Sequence, residues 1–409
     1  MSKILEKIKG WFYREKIYRN SVRVRRYLFF KTITEIYPRP ESLTESLSKS
    51  LHRSLSMSLG ENLGQSLSKK VEETLQGSLR QTNKDKPAPP KPRWARHEQI
   101  YTQLFSKYHS VSPYIPPNPK KELPENCIWV LWLQGEDAAP DIVRICINSI
   151  RRHNPGRLVI VLTENNLKEY VDIPPIIRKK LDSGKISYTH FSDILRLLLL
   201  TIYGGTWMDA TIYQTAPLPD EMVSGNLFMY TNAAWHCAKI PRSAKLIKMF
   251  CDSEFVPYHS FSSWYIHAGK NNRYLCLILN MLLAYWQDCD KLIDYYLLHY
   301  FGVVALVSDA ECCRIFESMP RYRRHTAFLM DNLRAKVSDD EYRELMSLSP
   351  IHKITHKYNA DIPFEPDMVL SRIFRQEVEI AKQGGKSDAP QRLDLICQRC
   401  VSASAWYCI

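Results

Sequence analysis

The sequence predicts an α/β protein with a mainly parallel sheet flanked by helices and a helical N-terminal extension, and three observations lead there. Apolar runs at 127–135 (CIWVLWLQG) and 157–163 (RLVIVLT) read as strands buried on both faces, the habit of parallel strands. Each is followed by a stretch of helical length, and a β-α-β-α order favours parallel crossovers. Residues before about 95 are set apart by a basic segment, a leucine repeat and a proline run.

Residues 1–37 carry ten Lys or Arg against three Glu, interleaved with Ile4, Ile8, Trp11, Phe12, Tyr18, Tyr27, Phe29 and Phe30. That mixture suits a helix lying on an anionic membrane surface, with a solvated basic arm as the plainer alternative. No uninterrupted apolar core follows the basic start, so a signal peptide is not expected. Within 38–82 an apolar residue recurs every fourth position, from Leu43 through Leu79. A four-residue stripe drifts by roughly 40° per repeat around an α-helix, which disfavours an ordinary coiled coil and leaves self-association or a spacer. Residues 83–95 form a proline-rich linker, 96–365 the expected catalytic domain, and 366–409 a C-terminal helix and tail.

With 409 residues and ordinary apolar content, the chain can bury a large core. Its net charge of +13 suits partners bearing phosphate or anionic lipid; nucleic acid is not assigned. Eleven scattered cysteines in a chain of this size point to reduced thiols, and Cys397 with Cys400 is a CxxC lacking the second pair a zinc site needs. The longest apolar runs, 194–203 and 275–286, fall short of the ~20 residues that span a bilayer.

Within the domain, Pro140 opens a helix that ends at the Asn154-Pro155-Gly156 turn. Ligands of parallel sheets sit beyond the carboxyl ends of strands, which puts Gln134 and Gly135 near a crevice. The segment 190–211, HFSDILRLLLLTIYGGTWMDAT, carries the chemistry. Ser192 is expected to cap a helix over 193–203, Gly204 to end it, and TWMDATIY to follow as a strand. Asp193 and Arg196 share one helix face, and Asp209 lies in an otherwise apolar strand, where carboxylates are rare without a partner. An intrahelical ion pair is the structural alternative for Asp193 and Arg196. Tyr, Trp and His crowd 255–303, including Tyr258, His259, Trp264, Tyr295 and His299; most would serve the core, and some could stack on sugar rings.

These residues resemble the capsular polysaccharide synthesis proteins, relatives of the DXD sugar transferases with a GT-A fold and of glycosyltransferase family 32. The pattern SDxxRxxxLxxxGGxxxDxx is matched by Ser192, Asp193, Arg196, Leu200, Gly204, Gly205 and Asp209. Similarity extends to WLQGEDAAP (132–140), KLIDYYLLHY (291–300, taken as a helix) and IHKITHK (351–357). The resemblance implies a GT-A-like, Rossmann-like domain. It would move a hexose, with retention, from a UDP- or GDP-sugar to a hydroxyl of a lipid-linked or growing surface polysaccharide. It makes Asp209, Asp193 and Arg196 the catalytic and donor-holding residues. Ser192, Gly205, Thr211, Asp294, His352, Lys353 and Lys357 join Gln134 and Gly135 as substrate contacts. A divalent cation, Mn²⁺ or Mg²⁺, would rest on Asp209 with His352 or His356. Thr211 replaces the second DXD aspartate and is a poorer ligand.

The expected location is the cytoplasm, peripheral on the inner face of the bacterial cytoplasmic membrane. Two other readings compete: a glycoside hydrolase with two flanking carboxylates, and a non-catalytic membrane scaffold.

Overall fold

The computed structural model describes residues 93–231, 261–320, 329–358 and 364–383. The basic arm, the leucine repeat, Tyr258, His259 and the CxxC lie outside the described residues. The chain divides into two units, 1–102 and 103–409. Of the first, only the beginning of helix α1 (Arg93–Tyr108) is described; it starts inside the expected linker, directly after the last proline of the run.

In the second unit, β1 (Ile128–Leu131) and β2 (Val159–Leu162) are shorter than the apolar runs that announced them. They pair in parallel from Ile128 opposite Val159 to Leu131 opposite Leu162. The crossover is α2 (Asp141–His153), with Pro140 at its N-cap, Asp141 in its first turn and Arg151, Arg152 and His153 in its last, each charge matched to the helix dipole. Its face of Ile142, Val143, Ile145, Cys146 and Ile150 is buried. Helix α3 (Pro175–Asp182) precedes α4 (Tyr188–Tyr203), which begins a turn earlier than expected. Ser187 is the N-cap, accepting from the His190 amide, while Ser192 sits inside the helix and donates to the Thr189 carbonyl at 2.6 Å.

Gly204 ends α4 at φ 72°, and Gly205 follows at φ 91° to start β3 (Gly205–Met208). At Gly205 a Cβ would overlap the carbonyl oxygen of Cys127. Gly205→Ala should therefore cost about 2–5 kcal/mol, from left-handed strain plus overpacking. Urea unfolding checks this, and a loss under about 1 kcal/mol would contradict it.

The single strand expected over TWMDATIY is broken. β3 ends at Met208, a turn closed by the Ile212 amide on the Asp209 carbonyl (2.9 Å) intervenes, and β4 (Ile212–Gln214) leaves the sheet. Then come α5 (Asp220–Val223), β5 (Leu227–Thr231) and β6 (Phe261–Ala268). The main sheet has the order β2-β1-β3-β6-β5, with β6 antiparallel to both its neighbours and the other four strands running one way.

Helices α6 (Arg273–Asp288), α7 (Leu297–Ser308) and α8 (Ala310–Ser318) are joined to α9 (Asp339–Ser347), and β7 (Ile351–Lys353) pairs antiparallel with β4. The stretch KLIDYYLLHY is helical only from Leu297. Asp294 accepts the Tyr296 amide at 3.0 Å, a side-chain turn that holds the preceding residues out of the helix. Helix α10 (Val369–Gln383) is integral to the domain rather than an appendage beyond 365: Val369, Leu370, Ile373 and Phe374 enter the core that also holds Ile142, Val143 and Met208, and Glu377 takes two bonds from Arg152. Among the described residues, no helix is long and apolar enough to cross a membrane, and the cysteines are free thiols.

Candidate active site

The carboxyl end of β3 gathers four charged side chains. Trp207 and Asp209 are two residues apart and leave the chain on one side, so the Trp207 Nε1–H donates to Asp209 Oδ1 at 2.9 Å. Arg196, one turn from Asp193 along α4, donates to Asp193 Oδ1, to Ser192 Oγ at 3.2 Å and, more weakly, to Asp209 Oδ1 at 3.5 Å. Its guanidinium carbon stands 5.1 Å from the Trp207 ring centre. From β7, Lys353 Nζ lies 3.0 Å from Asp209 Oδ2 and donates to Thr211 Oγ1. The intrahelical ion pair between Asp193 and Arg196 thus exists, as one half of a larger cluster.

Burial and neighbouring charge oppose each other at both carboxylates, with opposite outcomes. It disfavours ionisation of Asp209, yet Lys353, then Arg196 and the Trp207 N–H, outweigh it and hold the carboxyl below its ordinary range. At Asp193 burial prevails over Arg196 and His190, and the nearby Asp209 adds repulsion, so that carboxyl is pushed up. Arg196 is buried with its side chain 4% exposed, whereas Asp209 is 26% exposed and faces solvent. Buried charges of this kind contribute little net stability compared with apolar packing, which makes a chemical role the better account of them.

Beyond the carboxyl ends of β1 and β2 lies an open cleft of about 450 Å³ lined by Leu133, Gln134, Glu164, Arg178, Leu181, Asp182 and Tyr188; the four clustered side chains are not among its lining. Gly135, at φ 85°, makes the turn after Gln134, its amide bonded to the Trp132 carbonyl at 3.0 Å. Tyr188 opens the same helix that carries Asp193. Two residues on from Tyr188, His190 shares a 2.7 Å hydrogen bond with Ser187 Oγ and a 3.2 Å one with the Tyr295 carbonyl oxygen. Its ring meets Tyr295 edge-on at 5.6 Å, and Tyr295 is 61% exposed. Burial, then the charge of Asp193 and to a lesser degree Tyr296 and Asp209, push the Tyr295 phenol up.

Several expected residues stand elsewhere. His352 is fully buried, its Nε2 against the Met346 carbonyl at 3.3 Å; alternation along β7 sends it away from Lys353 and from Asp209. Burial lowers it to about 4. Gly205 begins β3 at the end opposite Asp209 and is packed on Cys127, so it shapes the sheet instead of meeting substrate. Asp294 closes its own turn at the Tyr296 amide. Lys357 is exposed, and its amide bonds Thr355 Oγ1. His356 lies edge-on to Trp132 at 5.3 Å, with burial and then Lys357 and Lys353 lowering its pKa.

The residues at Asp209 do not fit a divalent cation. A hard cation can draw most of its oxygens from water and phosphate, but the protein's share here is taken: Asp209 Oδ2 and Thr211 Oγ1 are both engaged by one ammonium, and Asp209 Oδ1 by Trp207 and Arg196. No group of three or more His, Cys, Asp or Glu suited to a metal occurs among the described residues. A dication about 4 Å from Lys353 would be repelled by about 8 kcal/mol at an effective dielectric of 20.

Trp207 joins the cluster, and Tyr295 packs on His190 of the same helix, without either having been singled out as a site residue. The signal for Trp207 was its place two residues before Asp209 in a strand. For Tyr295 it was an aromatic beside an aspartate in a motif that matched the family.

The chain is similar to known proteins over parts of its length. Over 92 residues the chain is 33% identical to the O-glycosyltransferase braB of Annulohypoxylon truncatum, a match spanning 20% of this chain and 22% of that protein's length. Among solved structures, the PaToxG glycosyltransferase aligns with 64% of this chain and 98% of its own, at 13% identity and a TM-score of 0.30. The model of the family described as capsular polysaccharide synthesis protein matches residues 82–373, a span holding every member of the strand-end cluster, and the chain belongs to that family.

Proposed function

We propose that this protein is a glycosyltransferase that moves a hexose from a nucleotide sugar to a hydroxyl of a lipid-linked or growing surface polysaccharide, with retention at the anomeric carbon. The observation that carries this reading is the placement of two cations, Arg196 and Lys353, on a single carboxylate at the carboxyl end of β3. The cleft suits a nucleoside: Leu133, Leu181 and Tyr188 offer apolar surface to a base, and Gln134 an amide to its edge. The diphosphate would then lie toward Lys353 and Arg196, and the sugar over Asp193 and Asp209. Tyr295, exposed and packed on His190, offers a ring face to an incoming acceptor sugar.

In the reaction the bond from the anomeric carbon to the diphosphate oxygen breaks as the acceptor oxygen bonds the same carbon. The acceptor proton passes to the departing diphosphate. Charge growing on that leaving group is what Lys353 and Arg196 offset, and their fixed positions make the stabilisation large. Asp209 holds both cations in register, and Asp193 fixes Arg196. A hydrolase would set its carboxylates on either side of a bond; here both engage the same guanidinium. The basic arm of residues 1–37 would bring the enzyme to the anionic inner face of the cytoplasmic membrane, where lipid-linked acceptors lie.

A panel of UDP- and GDP-sugars, assayed for nucleoside diphosphate release with and without polysaccharide or lipid-linked acceptor, tests the proposal. Release from one donor, accelerated by acceptor, is expected. If no donor is turned over, the transferase reading fails.

A further inference from the structure

Lys353 occupies an unusual position for a surface-derived lysine. Its backbone is pinned twice: the residue pairs with Ile212 across β4 and β7, and its carbonyl accepts the Leu329 amide at 2.9 Å. The side chain is 15% exposed, and its ammonium bridges Asp209 Oδ2 and Thr211 Oγ1. These are the first and third residues of the Asp-Ala-Thr triplet, the positions at which the resemblance calls for two metal-binding aspartates. Threonine at the third position removes one negative charge, and one lysine supplies one positive charge at the same place. Two aspartates with a dication sum to zero, and one aspartate with one ammonium also sums to zero, so the triplet keeps the same net charge with the ion left out.

Resting on the donor reading above, we infer that the Lys353 ammonium takes the place of the divalent cation, so that donor binding and departure of the diphosphate run without a metal. An ammonium has three N–H donors, and Asp209 and Thr211 use two. The third is left for an oxygen of the nucleoside diphosphate. A bonded ammonium is a charged donor at fixed distance, which is what the leaving group requires. Arg196 supplies the second charge, so a diphosphate meets two cations without an ion of its own. Asp209 keeps Lys353 aimed, and Thr211, unable to bind a hard cation well, is suited to hold an ammonium through its hydroxyl oxygen.

The experiment measures binding of UDP and of GDP to the full-length protein by calorimetry, in chelator and in Mn²⁺, with Mn²⁺ binding followed separately by electron paramagnetic resonance. Wild type should bind the preferred nucleotide with less than about 3-fold difference between the two media, and should not deplete free Mn²⁺ in the absence of nucleotide. Lys353→Met should weaken that nucleotide about 10- to 100-fold in both media, the range expected for one charged hydrogen bond. Lys353→Arg should retain most of it. If Lys353→Met is poorly folded by its melting temperature, the double variant Thr211→Asp/Lys353→Ala gives the complementary reading. It restores two carboxylates without the cation, and its nucleotide binding should become Mn²⁺-dependent. Loss of more than 10-fold affinity when wild type is moved into chelator overturns this inference and leaves the donor reading intact. Equal affinity of wild type and a folded Lys353→Met also overturns it alone. Failure of both nucleotides to bind in either medium overturns the donor reading and this inference together.

Discussion

Asp209→Asn is expected to lower kcat for donor turnover by about 10²- to 10³-fold while nucleoside diphosphate affinity is kept or improves. The asparagine carbonyl can still accept from Trp207 Nε1, so the shape of the strand end is retained. What disappears is the negative charge that Lys353 and Arg196 share. The two cations then have only Asp193 between them, the local field becomes more positive, and a bound diphosphate is attracted at least as strongly. Rate falls because Lys353 is no longer held at one position while the leaving group departs. Steady-state kinetics with direct measurement of nucleotide affinity separates these effects. If affinity falls in step with kcat, Asp209 touches the donor itself and its role is contact, not alignment.

The pH dependence carries the same assignment. The carboxyl of Asp209 lies below its ordinary range because Lys353 and Arg196 outweigh the cost of burial. A group depressed in the folded state stabilises the fold above its unfolded pKa of about 3.9, and that contribution is lost as pH falls through the lower folded value. Turnover that depends on ionised Asp209 should accordingly persist down to the ordinary carboxylate range.

How much of this was legible in the sequence depends on how far each residue's position follows from its neighbours. Asp193, Arg196 and Asp209 stood out because charge in an apolar run is costly and needs a partner, and the structure brings these three together. The start of α4 was placed late because Ser187 and Ser192 are equally good caps by type; the amide that Ser187 satisfies decides between them. The choice between His352 and Lys353 was beyond spacing. Adjacent residues of a strand face opposite ways, so everything rests on the register of β7 against β4, a pairing about 140 residues apart in sequence. The break after Met208 was hidden because Asp-Ala-Thr can continue a strand or turn, and only the pairing of β4 with β7 shows that the chain leaves the sheet. The antiparallel β6 was not anticipated, since two strands in β-α-β order say nothing about a later strand joining from the other direction.

Arg196→Met is expected to have the largest effect on stability, a loss of about 3–5 kcal/mol at neutral pH, because it strands a buried charge. The cost centres on Asp193. Asp209 keeps Trp207 and Lys353 as partners, whereas Asp193, 8% exposed, loses the guanidinium that opposed its burial. In wild type the Asp193 carboxyl is already raised by burial, and a folded-state pKa above the unfolded one means the native form binds the proton more tightly. Its contribution is most favourable below about pH 4 and declines as pH rises through the folded value. Without Arg196 the folded value rises further, so the deficit of the variant should shrink as pH is lowered from 7 toward 5. Urea unfolding across that range measures it, and a deficit independent of pH would assign the loss to packing. Adding Asp193→Asn to Arg196→Met should return most of the lost stability at pH 7, since a neutral amide tolerates burial better than a carboxylate. Activity should stay lost in that double variant, because nothing replaces the cation beside the diphosphate. Recovery of the fold without recovery of turnover is the outcome that distinguishes a cluster retained for chemistry from one retained for stability; recovery of both would mean that Arg196 served only to neutralise Asp193.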